Sequence, residues 1–103
     1  MQGPRPTIRR GNERQALRVA VSVRRYGAGK PSKALMFDLS ATGCCIIWGG
    51  TLPLGSQLLI RIPGYAFWPA TVAWRREEAA GLEFHKPLHP EVVERYAQSH
   101  PSL

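Results

Sequence analysis

The sequence predicts an all-β fold, a six-stranded antiparallel β-barrel with a short C-terminal α-helix and a flexible N-terminal arm. Three observations carry that expectation. Apolar and polar residues alternate with a period of two over several short stretches, the pattern of half-buried strands. Turn clusters rich in glycine and proline separate these stretches. Only after Pro87 does the period lengthen to that of a helix. Short strands joined by tight turns and closed by one helix fit a small barrel capped at one mouth. The length of 103 residues holds one domain.

Residues Met1 to Gln15 are polar, contain Pro4, Pro6 and Gly11, and show no periodicity, so they are expected to form a flexible basic arm. The barrel domain is expected over residues 16–100. The first strand is announced by Leu17, Val19, Val21 and Val23 alternating with Arg18, Ala20, Ser22 and Arg24. A turn from Tyr26 to Pro31 leads to a second strand, Ala34 to Leu39. Simple alternation there points Leu35, Phe37 and Leu39 inward and leaves Met36 and Asp38 outside. After the turn Ser40–Gly43 comes a continuous apolar strand, Cys44 to Trp48. Leu58, Ile60 and Ile62 mark a fourth strand. A fifth runs from about Ala66 to Arg75, with Pro69 suggesting an edge position or a bulge. Arg76-Glu77-Glu78 forms a hairpin tip before a sixth strand, Ala80 to Phe84. Pro90 suits a first helical position, and Val92, Val93, Tyr96 and Ala97 share one helical face.

The formal net charge is +7, unevenly spread. Residues 1–33 carry a balance of +8 and residues 34–103 a balance of −1. Such asymmetry points to an anionic partner for the first third of the chain. No apolar run is long enough to span a membrane, and the N-terminus has no secretory h-region, so a cytoplasmic location is expected. No output domain is evident, which suits an adaptor that acts on a separate effector protein. Cys44 and Cys45 are adjacent and lack C-x-x-C spacing, so they are expected as two small buried side chains. His85, His89 and His100 lack metal-ligand spacing. Ser40 has no nucleophile setting and no carboxylate pair is placed for acid–base work, so neither an enzyme nor a bound cofactor is expected.

One constellation stands out. If the first two strands pair, Arg18 at the start of one and Asp38 at the end of the next share the outer face, with Ser40 continuing it and Arg14 four residues upstream. Two guanidinium forks, a carboxylate, a hydroxyl and the close-approach glycine Gly43 suit a guanine nucleotide. Arginine matches phosphate and the guanine O6/N7 edge, and a carboxylate accepts from guanine N1–H and N2–H₂.

Arg14-Gln-Ala-Leu-Arg18 is an R-x-x-x-R element, and Asp38-Leu-Ser-Ala-Thr-Gly43 a D-x-S-x-x-G element about twenty residues later. Together with Val72-Ala-Trp-Arg75 and Gly81-Leu-Glu-Phe84, they resemble the signature of the PilZ family of bacterial cyclic di-GMP receptors over roughly residues 12–98. The resemblance implies a six-stranded barrel and cyclic di-GMP as ligand. Arg14 and Arg18 would grip guanine and phosphate, Asp38 and Ser40 would hold the other guanine edge, and Gly43 would shape the loop. Trp74 would stack on a guanine, although its alternation with Ala70 and Val72 equally points it into the core. Glu13 stands where many family members have a further arginine, which leaves one or two nucleotides per chain open. Two other classes compete: a small basic barrel binding nucleic acid, and a PilZ-like interaction module without ligand.

Overall fold

The computed structural model describes residues 13–27, 29–50 and 53–102. Its elements are β1 (Gln15–Arg25), β2 (Ser32–Leu39), β3 (Gly43–Ile47), β4 (Gln57–Arg61), β5 (Phe67–Arg76), β6 (Ala79–Phe84) and α1 (Pro90–Ser99). The strands form a closed antiparallel barrel in the order β1-β2-β3-β6-β5-β4, with β1 pairing to β4 to complete the ring. Sequence neighbours pair except β3 and β4, which find β6 and β1 instead. Among the described residues every strand therefore has a partner strand on each side over part of its length, and none is a free edge strand. No helix among the described residues is long and apolar enough to cross a membrane.

The alternation in β1 is realised as expected, with Leu17, Val19, Val21 and Val23 all buried. They meet Leu58, Ile60, Ala70, Val72, Leu82 and Phe84 in one core. Burial of such aliphatic side chains, each worth about 1.5–3 kcal/mol, is what holds a barrel this small together. The helix covers part of this core through Val93, with Tyr96 packed against it. His89 caps α1, its Nδ1 accepting from the Glu91 N–H at 3.1 Å. The far end is tied to β1, because the Arg18 N–H donates to the His100 carbonyl at 2.9 Å.

The barrel begins earlier than alternation suggested. Gln15 already pairs with Leu39, so Gln15 belongs to β1 and not to the arm. Glu13 and Arg14 directly precede β1, and residues 1–12 of the expected arm lie outside the described residues.

Three bulges correct the expected faces. Between the pairs Ala16↔Asp38 and Val19↔Met36, Leu17 and Arg18 stand opposite Phe37 alone. Phe37 is in turn the extra residue against β3, between Met36↔Ile46 and Asp38↔Cys45. An inserted residue inverts the parity of everything before it. Ala34 and Met36 therefore face the core, while Leu35 and Phe37, expected inside, are only half-buried. Leu39 and Asp38, beyond the bulge, keep their expected sides.

The third bulge is at Ala73, between Val72↔Leu82 and Trp74↔Gly81. Pro69 lies on the stretch of β5 that pairs with β4 alone, since the ladder to β6 begins at Ala70, and the bulge of β5 lies four residues on. The Pro69 carbonyl accepts from the His85 N–H just past the end of β6, so the missing N–H falls where that ladder has stopped.

Candidate functional site

The register aligns a continuous row across five strands: Ala16 on β1, Asp38 on β2, Cys45 on β3, Gly81 on β6 and Trp74 on β5. At about 4.8 Å per strand the row runs roughly 19 Å around the outer wall. Its middle is paved with small residues, Cys45 and Gly81, and its two ends carry the chemistry. It is a shallow trough with a carboxylate at one end and an indole at the other.

Arg14 closes over the carboxylate end. Its Nε lies 3.2 Å from Asp38 Oδ2, and its terminal nitrogen donates to Cys45 Sγ at 3.4 Å. Desolvation works against its charge, but the Cys45 contact and the Asp38 charge outweigh it and raise the Arg14 pKa above the ordinary value. Burial likewise pushes the Cys45 thiol up, despite the opposing contact with Arg14. The second carboxylate oxygen, Asp38 Oδ1, is buried and has no hydrogen-bond partner. A carboxylate oxygen left unanswered in this way costs stability unless a donor is supplied.

The expected Arg18–Asp38 pairing is not formed. Ala16, not Arg18, stands opposite Asp38, and the bulge displaces Arg18 by a further residue. Arg14, two positions before Ala16 on the same face, is the diagonal neighbour and takes the contact. Arg18 is exposed on the outer wall of β1 beside this centre.

Ser40 is placed inside the turn. It is 2% exposed, its N–H and Oγ both donate to the Gly43 carbonyl, at 2.8 and 3.3 Å, and Oγ accepts from the Thr42 N–H at 3.3 Å. Its work is to hold the loop that presents Thr42 and Gly43. Gly43 is required by close approach, because a Cβ there would collide with the Leu82 carbonyl oxygen of β6.

Trp74 faces outward and is 38% exposed. The Ala73 bulge, which alternation does not foresee, turns it away from the side of Ala70 and Val72. Its indole lies flat across Gly81, where any Cβ would strike the ring, and Arg76 sits 6.0 Å from the ring centroid. Arg14, Thr42, Gly43 and Trp74 border a surface recess of about 210 Å³ floored by Gly81 and Leu82. Of the six residues expected at the site, Arg14, Gly43 and Trp74 line this recess and Asp38 is bonded to its edge; Arg18 stands nearby and Ser40 acts from beneath.

Cys45 and Gly81 were not singled out from sequence. Their part comes from smallness at matched register, a signal visible only once the strands are paired. The histidines have local structural partners: His85 Nε2 bonds Thr71 Oγ1 at 2.7 Å, His89 caps α1, and His100 stacks on Tyr96.

A family model described as PilZ domain matches residues 8–98 of this chain. Among solved structures, the PilZ domain of CeSA from a cellulose synthesizing bacterium is similar, with a TM-score of 0.63 at 18% identity. That match covers 85% of this chain and 99% of the other. No curated protein matches the sequence. At this identity the structural likeness speaks for the fold, and the family model for membership.

Proposed function

Because the chain belongs to the PilZ domain family, a family of cyclic di-GMP receptors, we propose that it binds cyclic di-GMP on the trough and passes the signal to a partner protein. The observation that carries this reading is the Arg14–Asp38 centre, where a guanidinium and a carboxylate with an unanswered oxygen sit side by side. A bare polyanion has no use for the carboxylate. A guanine base does, because its N1–H and N2–H₂ are donors for the accessible part of the Asp38 carboxylate, while arginine forks take phosphate and the O6/N7 edge.

In this proposal Arg14 and Arg18 hold phosphate and guanine, and Asp38 accepts from the base. Trp74 offers an exposed aromatic plate for stacking. Ser40 and Gly43 set the loop, Ser40 from within the turn. The protein is a binding module and not an enzyme, needs no cofactor, and works in the cytoplasm where the nucleotide is made.

Titration calorimetry with cyclic di-GMP is expected to give a Kd in the low-micromolar range or tighter, about −8 kcal/mol or better. GTP and GMP are expected to bind far more weakly. No heat at ligand concentrations well above that range sinks the receptor reading, and equal binding of GTP sinks its selectivity.

The signalling step we propose is ordering of the N-terminal segment by the ligand. Residues 1–12 carry Arg5, Arg9 and Arg10 but few apolar side chains to bury, and Arg14 joins them to the ligand centre. Two phosphates held there would attract these cations and fasten the segment across the barrel, making a surface that exists only in the bound state. Trypsin cleavage after Arg10 and Arg14 is expected to slow markedly at saturating ligand, with Arg5 less protected. Equal rates with and without ligand exclude this segment as the switch.

A further inference from the structure

A second row of register partners crosses the outer wall nearer the other end of β1. Lys33 on β2 pairs with Ser22 on β1, Ser22 with Arg61 on β4, and Arg61 with Phe67 on β5. Arg24 stands two residues beyond Ser22 on the same face. Six residues separate Ser22 from Ala16, which places this row about 20 Å along β1 from the trough.

The arrangement concentrates charge in an unusual way. The guanidinium groups of Arg24 and Arg61 both lie over the Phe67 ring, at 5.0 and 5.6 Å from its centroid. The ring's negative face draws each cation in, so two like charges share one aromatic ring. Among the described residues no carboxylate pairs with Arg24 or Arg61. Residues 39–76 contain no acidic residue, and residues 14–38 only Asp38, at the opposite end of β2. Arg24 Nε is buried without a hydrogen-bond partner. Folding alone therefore leaves a donor unanswered and two cations without a counter-charge.

We propose that this face, centred on Arg24, Arg61 and Lys33 over Phe67, is a docking surface for an acidic segment of a partner protein. Carboxylates match guanidinium forks bidentately, and an acidic side chain seated against Arg24 or Arg61 supplies the counter-charge that this face of the barrel lacks. Nucleic acid is a poorer fit, since the Phe67 ring at the centre of the patch already carries two guanidiniums. The inference extends the receptor reading by giving the adaptor a partner surface separate from the nucleotide, but it stands without ligand binding.

The test is fluorescence anisotropy of a fluorescein-labelled oligo-glutamate peptide titrated with the full chain at low salt. The Arg24→Gln/Arg61→Gln double variant is expected to weaken binding at least about tenfold, and Lys33→Gln about twofold. Phe67→Leu, which keeps an apolar side chain but removes the ring, is expected to weaken it several-fold. The control Arg9→Gln/Arg10→Gln is expected to change it less than twofold. Circular dichroism establishes that each variant is folded, and Lys33→Gln/Arg61→Gln replaces the double variant if that one is not. Unchanged binding in the folded patch variants overturns the proposal, as does loss of binding in the control. Tighter binding of phosphatidylglycerol vesicles or of single-stranded DNA at equal charge also overturns it. Cyclic di-GMP affinity is measured on the patch variants alone and is expected to stay within twofold. A parallel fall would merge the patch with the trough and refute a separate surface, whereas peptide binding with no nucleotide binding refutes only the receptor reading.

Discussion

Asp38→Ala weakens cyclic di-GMP binding by about 2 kcal/mol, roughly thirtyfold, and Arg18→Ala by about 2–4 kcal/mol; these are the largest expected effects on affinity. The physical ground for Asp38 is the unanswered Oδ1 beside Arg14. Its loss removes the acceptor for a guanine edge and also frees the Arg14 guanidinium from its position. The effect on stability is expected to be small, because Arg14 is half-exposed in this pair, and such pairs contribute only about 0–1 kcal/mol. Affinity and stability thus separate at this residue. The sign of the change decides between classes of ligand. Removing a carboxylate from a basic surface strengthens binding of a nucleic acid, so tighter binding of single-stranded DNA and unchanged cyclic di-GMP binding in Asp38→Ala would reverse the functional assignment. Calorimetry on both ligands reads the result.

The largest effect on stability is expected at Gly43. A single methyl group there meets the Leu82 backbone oxygen, which belongs to a ladder and has no rotamer by which to move away. Gly43→Ala therefore parts β3 from β6 at Gly43↔Glu83 or shifts the turn that Ser40 closes. A cost of about 3 kcal/mol is expected, at the upper end of overpacking effects, from a total stability of about 5–15 kcal/mol. Gly49→Ala is the matched control, since nothing lies within 4 Å of its Cβ position, and it should stay within about 0.5 kcal/mol. Urea denaturation midpoints compare the two. Equal midpoints would mean that the close approach of β3 to β6 is not constrained as described. Gly43 also borders the recess, so the folded fraction of Gly43→Ala is expected to bind cyclic di-GMP more weakly.

Much of this protein is written locally. Alternation over β1, the turn chemistry, and Pro90 followed by one apolar helical face depend on residues within a few positions of each other, and strand and helix periods encode them directly. The R-x-x-x-R and D-x-S-x-x-G elements are likewise short-range patterns, and charge asymmetry is a property of composition. From these alone came the barrel with its closing helix, the outward carboxylate of Asp38, the buried cysteines and the membership in a nucleotide-binding family. Tertiary structure decided what depends on register between strands distant in the chain. The bulges at Leu17–Arg18, Phe37 and Ala73 each add one residue, and one residue inverts a strand's faces, so Met36 went inside, Phe37 partly out, and Trp74 to the surface. The same register set Ala16 opposite Asp38 and so gave the carboxylate to Arg14 in place of Arg18. It also aligned Cys45 with Gly81 beneath the trough, whereas Ser40 is held in its turn by local bonds to Thr42 and Gly43. A bulge is a bargain between two strands over a shared ladder, and neither strand's own sequence states its terms.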